Sequence, residues 1–244
     1  MTVIGDYEAA RPHRQAVTIL TGDVFGRTDI VAEGDAANPG PHAFLVEQRP
    51  DVVLPTHFHL NDQFQVVVAG RGTLGRRPIA PVAVHYARGR TGYGPITAGP
   101  DGLHYLTLRA RLERGAHYLM DPKTVVDRTV PKFHATSAVV PVADDGPGPV
   151  DAPVRVELLP AGDDGLGAWL DRLPAGAAPP DDDGRPSAGR FHVVVSGTAQ
   201  AAGRQLGRWS CVWASASERT AGLVAGPGGL ELLTLRYPLP ESTR

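Results

Sequence analysis

The chain carries one segment twice: residues 63–109 read QFQVVVAGRG…AGPDGLHYLTLR, and residues 190–236 read RFHVVVSGTA…AGPGGLELLTLR. The two copies align without a gap at a constant offset of 127, and 16 of the 47 aligned positions are identical. Solenoid repeats recur about every 20–50 residues, so an offset this long indicates a duplicated domain.

The two copies differ in the residues that can carry chemistry. His57 and His59 precede the first copy, which begins with Gln63. The same offset brings three residues of another kind to these places in the second copy: Gly184, Pro186 and Arg190. We therefore expect the first copy to hold a functional site and the second copy to be architectural.

The pattern of short apolar runs predicts an all-β protein. Runs such as residues 64–68, 82–86, 191–195 and 230–235 are separated by Gly, Pro, Asp or Asn, which is typical of a sandwich or barrel. The 29 glycines and 23 prolines are too many for a helical protein. One stretch, residues 164–173, predicts a short helix.

The spacing of the two histidines suggests a metal site. In a strand, side chains two positions apart share a face, so His57 and His59 point the same way, and Gln63 and Gln65 keep that parity. Two histidines and an oxygen donor on the next strand can surround one divalent ion. A bare His-x-His pair is more often a surface or loop feature, but Gly70 downstream makes this instance more specific.

These residues resemble a known family motif. The series from His57 through Gln63 to Gly70 is similar to the first conserved motif of the cupin superfamily, HxH-x(3,4)-E-x(6)-G. With its duplication, the chain resembles a bicupin over about 200 residues. The resemblance implies two tandem antiparallel jelly-roll barrels: residues 1–125 with the metal site, and residues 126–244 as a degenerate barrel. In such barrels two histidines, a carboxylate and a third histidine hold the metal.

Gln63 stands where most cupins have the carboxylate. This set resembles the His-His-Gln-His metal cupins, such as the bacilysin-pathway bicupin isomerase. An amide removes one negative charge, so a bound ion would keep more Lewis acidity and bind less tightly. The implied cofactor is a divalent transition metal: Fe, Mn, Ni or Zn.

The fourth ligand has three candidates. Residues 94–104 resemble the second cupin motif, G-x(5)-P-x-G-x(2)-H, apart from one missing residue, and this favours His104. The equivalent segment of the second copy lies near the end of the sequence and indicates a final strand. In that case Tyr93 lies nearer the ligand position, or solvent completes the site. His85 is a reserve candidate.

Three functions are compatible with this pattern. The first is a metal-dependent cupin enzyme with isomerase, lyase or dioxygenase type chemistry on a small oxygenated organic molecule, with Gln65 and Tyr93 lining the substrate pocket. The second is a non-catalytic bicupin that binds a small molecule. The third is a structural or interaction protein with a vestigial site.

Composition narrows the partners and the location. A net charge of −2 without blocks of like charge disfavours nucleic acid and anionic membranes. Cys211 is the single cysteine, which excludes an internal disulfide and fits a reducing cytoplasm. In bicupins the two barrels of one chain often pair and bury sheet edges, which is compatible with a monomer, but many bicupins dimerise further, and we expect a homodimer. Light scattering that gives one 25.8 kDa species would contradict this expectation.

A polar loop at residues 174–188 replaces the histidine-bearing segment in the second copy. It contains three consecutive aspartates, Asp181, Asp182 and Asp183. Exposed acids among Pro and Gly are usually only solvated, and we expect the same here.

Overall fold

The computed structural model describes residues 1–113, 115–142, 148, 150–181, 183–218 and 221–240. The chain forms two compact units. One unit comprises His13–Val140, and the other comprises Met1–Pro12 together with Pro141–Arg244. The first twelve residues thus belong to the second barrel and not, as the 1–125 boundary has it, to the first.

Strands dominate the described residues, with one short helix, α1 (Tyr7–Ala10), and one 3-10 turn (Arg11–His13). In chain order the strands are β1 (Thr2–Gly5), β2 (Gln15–Thr18), β3 (Val24–Gly34), β4 (Pro39–Gln48), β5 (Val53–Leu54), β6 (His57–Phe58), β7 (Gln63–Leu74), β8 (Arg77–Ile79), β9 (Val84–Ala87), β10 (Ile96–Arg109), β11 (His117–Tyr118), β12 (His134–Thr136), β13 (Val154–Leu159), β14 (Gly167–Leu173), β15 (Gly189–Ala201), β16 (Arg204–Leu206), β17 (Cys211–Ala214) and β18 (Val224–Tyr237).

The two units repeat one strand order. Within the described residues, the first unit has a nine-stranded sheet in the order β12-β9-β7-β10-β4-β3-β2, with β5 and β8 joined at its side. The second unit has a seven-stranded sheet in the order β1-β17-β15-β18-β14-β13, with β16 paired to β15. All the pairings are antiparallel, so the prediction of two antiparallel jelly-roll barrels is confirmed.

Different segments fill the same edge position in the two units. In the first unit β12 pairs with the outer side of β9, whereas in the second unit β1 pairs with β17, with Val3 opposite Trp213. An uncovered strand edge leaves backbone N–H and C=O groups without partners. This pairing explains why Met1–Pro12 belongs to the second unit.

One glycine recurs at the same bend in both copies. Gly70 has a φ of +71° and Gly197 a φ of +74°. A Cβ at Gly70 would lie 2.2 Å from the carbonyl oxygen of Gly102, and one at Gly197 would lie 2.3 Å from that of Gly229. Both the backbone conformation and the close approach therefore require glycine.

The barrel interiors are apolar at one end. In the first unit Val67, Leu103 and Tyr105 belong to one buried cluster, and in the second Val194 and Leu232 belong to its counterpart. Side chains two positions apart on a strand share a face. Further along β7 and β10, the positions that face inward are polar. Those positions are Gln65, Thr107 and Arg109, and they carry the site described below.

The helix expected at residues 164–173 is wrong, since most of this stretch is strand β14. Trp169 lies opposite Thr234 and Leu170 opposite Leu233 in a ladder with β18. Leu170 is fully buried. Sheet pairing on both edges outweighs the weak helix preference of this stretch. In the described part of the chain, no helix is long and apolar enough to cross a membrane.

Candidate functional site

The two histidines of the motif are buried next to each other in the first barrel. His57 lies on β6, and its N–H donates to the carbonyl of Tyr93 at 3.2 Å while the Tyr93 N–H donates back at 3.0 Å. The rings of His57 and His59 are 5.3 Å apart between centroids. The structure therefore brings this pair into one buried place, as the spacing indicates.

His57 is held in one tautomer. Its Nδ1 lies 2.8 Å from the backbone oxygen of Pro55. A carbonyl oxygen only accepts, so Nδ1 carries the proton and Nε2 carries the lone pair. Burial lowers the pKa of His57 to about 3, so the ring is neutral at pH 7.

His59 faces a carboxylate that the sequence analysis did not single out. Its Nδ1 lies 3.6 Å from Oε1 of Glu113, which is an ion-pair contact longer than a hydrogen bond. The same carboxylate accepts from the backbone N–H of Leu60 at Oε1 and from that of Asn61 at Oε2. Burial raises the pKa of Glu113, but the contact with His59 and these backbone bonds outweigh it and lower that pKa to about 2. Burial lowers the pKa of His59 to about 4. The Glu113 carboxylate thus favours a proton on Nδ1 and leaves the lone pair on Nε2.

A directed chain of hydrogen bonds connects Arg109 to His57. Arg109 donates from Nε and Nη2 to Oε1 of Gln63 at 3.1 and 3.0 Å. Nε2 of Gln63 donates to the Tyr93 hydroxyl, which lies 2.8 Å from Nε2 of His57. Guanidinium only donates and the carbonyl of Pro55 only accepts, so both ends fix the direction of every bond between them. Burial raises the pKa of Tyr93, so its hydroxyl stays protonated and donates to His57.

Replacing Tyr93 by Phe interrupts this chain. Nε2 of Gln63 and Nε2 of His57 then both lose a buried partner, so we expect the free energy of unfolding to fall by about 1–3 kcal/mol. Urea denaturation measures the change. Tyr105→Phe is the matched control: Tyr105 is buried in the same barrel but outside the chain of bonds. If Tyr93→Phe and Tyr105→Phe lower the free energy of unfolding equally, the chain of hydrogen bonds contributes nothing to stability.

Beside the histidines lies a cavity of about 420 Å³. Its polar wall is formed by His57, His59, Gln65, Thr107 and Arg109. Its apolar wall includes Phe25, Phe44, Val46, Leu54 and Tyr105. Pockets of this kind, mostly apolar with a few convergent polar groups, are the usual form of a small-molecule site.

Two of the three predicted metal ligands that meet here, His57 and His59, are suited to bind a metal ion, and the third, Gln63, is not. His57 and His59 have the features of metal-binding histidines, because each ring is neutral and its Nδ1 faces an oxygen acceptor. Gln63 does not fit as it stands, since its only ligating atom, Oε1, accepts from Arg109. Among the described residues there is no group of three or more His, Cys, Asp or Glu placed to hold an ion. The structure therefore favours two histidine ligands over a His-His-Gln-His set.

The structure does not bring His104 to this site. His104 lies opposite Glu47 on β4, between Leu103 and Tyr105 of the inner cluster, so its side chain points to the other face of β10. Of the open alternatives, Tyr93 is the one in contact with His57. His85 is buried behind Tyr93, with ring centroids 5.1 Å apart, and its Nδ1 lies 2.9 Å from Oγ1 of Thr136.

The sequence pattern did not single out two residues of the candidate site, Arg109 and Glu113. Arg109 ends strand β10, and a usable signal existed, since the LTLR tetrapeptide repeats intact and places Arg236 at the same position of the second copy. Glu113 lies four residues later in a loop, where neither the duplication nor the motif extends. For Glu113 the sequence alone contains no signal.

No protein-family model matches the chain, and the curated proteins give no match. Solved structures do match. A candidate dioxygenase from Nostoc punctiforme superposes with a TM-score of 0.66 at 12% identity, over 98% of this chain and 83% of that one. A bacterial pirin from Escherichia coli, solved in complex with nickel(II), gives 0.56 at 12% identity, over 98% and 100%. A deletion mutant of the Bacillus subtilis oxalate decarboxylase gives 0.56 at 11% identity, over 100% and 82%. At identities this low, these superpositions establish the fold alone.

Proposed function

Because the chain has the two-barrel fold of the bicupins, we propose that it is a metal-dependent enzyme whose first barrel acts on a small oxygenated organic molecule. His57 and His59 would hold a divalent transition metal at the edge of the 420 Å³ cavity. The reaction would be an isomerisation, a lyase reaction or a dioxygenation. The second barrel lacks the ligand residues and serves as architecture.

The observation that carries this proposal is the orientation of the two imidazoles. Pro55 holds Nδ1 of His57, and Glu113 faces Nδ1 of His59. The hydrogen bond to Pro55 keeps the lone pair of His57 on Nε2, and the negative charge of Glu113 favours the same tautomer of His59, so each Nε2 can act as a metal ligand. A histidine that only fills a core needs no such pair of oriented partners.

A bound divalent ion would supply Lewis acidity toward a carbonyl or hydroxyl oxygen. The residues around the ion would have three roles. Tyr93 holds a proton at Oη next to Nε2 of His57, so an ion at His57 competes with that hydroxyl. Gln65 and Thr107 line the cavity and can orient a polar ligand, while Phe25 and Phe44 exclude water.

One observation favours a second candidate, a non-catalytic binding protein. Oε1 of Gln63 is held by Arg109, and turning the amide over would place two donors face to face. A site restricted to two histidines binds metal weakly, and the cavity would then serve as a binding pocket alone.

Metal titration separates the two candidates. We expect chelator-treated protein to bind one Mn²⁺, Fe²⁺, Ni²⁺ or Zn²⁺ ion per chain in calorimetry, and elemental analysis of protein purified without chelator to find that ion. A protein that binds none of these four ions at millimolar concentration would be a binding module.

A further inference from the structure

We infer that two copies of the chain associate through strand β13 (Val154–Leu159), which pairs antiparallel with the same strand of the partner copy. The inference goes beyond the proposed function and depends neither on the metal nor on the reaction. It assigns the expected homodimer a surface, a strand register and a two-fold axis.

Strand β13 is the last strand of the sheet in the second unit, and its one partner is β14. The strand at the same place in the first unit is β3, which pairs with β4 on one side and with β2 on the other. In the described part of the chain, no strand takes the place of β2 beside β13. The sheet of the second unit therefore ends one strand earlier than that of the first.

The outer edge of β13 is accessible. Among the described residues, the backbone groups of residues 154–159 form hydrogen bonds with β14 alone. Val154 is 47% exposed, and Arg155 and Glu157 are exposed as well. An exposed edge of this kind is a template for another strand, because pairing gives its outward N–H and C=O groups their hydrogen-bond partners.

The sequence of β13 is complementary to itself in one antiparallel register. With the two-fold axis at Val156, this residue lies opposite the partner's Val156. Arg155 then lies opposite the partner's Glu157, and Val154 lies opposite the partner's Leu158. Opposite charges thus meet on one face of the sheet and apolar side chains meet on the other, which is the favourable arrangement for cross-strand pairs.

Neighbouring registers lack this match. A shift of one residue places Arg155 opposite Val156 and Val154 opposite Glu157. A shift of two residues places either the two copies of Arg155 or the two copies of Glu157 opposite each other, and like charges in that position destabilise a sheet. The charge pattern therefore specifies both the occupant of the edge, a second copy, and the register in which it binds.

The two charged residues have different surroundings. Nε and Nη2 of Arg155 donate to Oδ1 and Oδ2 of Asp171 at 2.7 and 2.9 Å, which fixes the guanidinium at the edge. Glu157 forms no ion pair with any described residue. Since Arg155 is already paired, its contact with the partner's Glu157 selects the register, while the backbone bonds and the covered valines supply most of the affinity.

The loop that contains the three aspartates also holds Arg155. The carbonyl oxygens of residues 180–181 accept hydrogen bonds from its guanidinium. The expectation that these aspartates are only solvated is wrong for Asp183, whose carboxylate contacts Arg236. Asp182 lies outside the described residues. The loop thus contributes to the position of the charged edge.

Cysteine cross-linking of the full-length protein tests the register. In Val156→Cys the two introduced residues face each other across the axis with Cα atoms about 4.5–5.5 Å apart, which a disulfide can span. Val154→Cys is the matched control, because position 154 is highly exposed but lies about 14 Å from its own copy. We expect mild oxidation to give a covalent dimer for Val156→Cys and a monomer for Val154→Cys on a non-reducing gel. The native Cys211 is fully buried and does not compete.

Charge reversal tests the affinity. Glu157→Arg places two pairs of like charges across the axis, so we expect the dissociation constant of the dimer in analytical ultracentrifugation to rise roughly 10- to 100-fold. The variant should fold, because position 157 is exposed. Glu33→Arg changes the net charge equally at an exposed position of β3, and it should keep the dissociation constant of the wild type.

Each result decides for or against the inference. Cross-linking confined to Val156→Cys, together with a weakened Glu157→Arg dimer, would support it. A wild type that sediments as a monomer up to millimolar concentration would overturn it without any variant. A dimer in which both cysteine variants cross-link equally, or which Glu157→Arg leaves unchanged, uses a different surface and would also overturn it. None of these measurements depends on metal uptake, so the interface and the proposed function can fail separately.

Discussion

We expect the double replacement of His57 and His59 by alanine to remove the metal and the activity that the proposed function assigns to the first barrel, and to leave the barrel folded. Neither side chain belongs to the apolar cluster that fills the other end of the barrel. Loss of both Nε2 atoms leaves no nitrogen ligand in the cavity, so we expect metal content to fall from about one ion per chain to background. Elemental analysis after gel filtration measures it.

His104→Ala is the matched control for this experiment. His104 was the sequence-based candidate for the third histidine ligand, and the structure turns it to the outer face of β10. We expect the control to retain the metal content of the wild type. Equal metal in the double variant and the wild type would refute the site, and metal loss in His104→Ala would contradict the orientation described above.

Acidification from pH 7 to pH 5 destabilises the metal-free protein by about 2 kcal/mol for each buried neutral histidine, as an upper estimate. Burial lowers the pKa of His57 and His85 to about 3 and of His59 to about 4, whereas an unfolded chain titrates near the ordinary value of 6.5. Between these values the unfolded state binds more protons, so stability falls as the pH falls. The loss begins near pH 6.5 and ends near pH 3–4.

The variant His85→Gln tests this dependence of the free energy of unfolding on pH, which we call the pH slope. Urea denaturation at pH 7 and at pH 5 should show a smaller difference in this variant than in the wild type, because one buried titrating group is gone. His13→Gln, at an exposed position, should keep the slope of the wild type. A variant slope equal to that of the wild type would mean that His85 is not buried in its neutral form.

The cupin-like motif and the duplication are the sequence features that predict the candidate site. His57, His59 and Gln63 do converge, because strand parity and a short connection restrict where they can point. The His104 alternative failed for the same reason: alternation along β10 directs Tyr105, Thr107 and Arg109 inward and leaves His104 outside. The second cupin motif is one residue short in this sequence, and a shift of one position along a strand turns a side chain to the opposite face.

The sequence by itself determined the duplication and the all-β class, because these depend on patterns that are local or that repeat along the chain. From the same patterns it predicts a division of labour between the copies. Only the tertiary structure decided that Arg109 holds Oε1 of Gln63, that Glu113 faces His59, and that Asp183 binds Arg236. Each of these pairs joins residues 46, 54 or 53 positions apart, two of them through a loop. Such contacts depend on how the loops fold back over the barrel, and neither spacing nor periodicity in the sequence encodes that path.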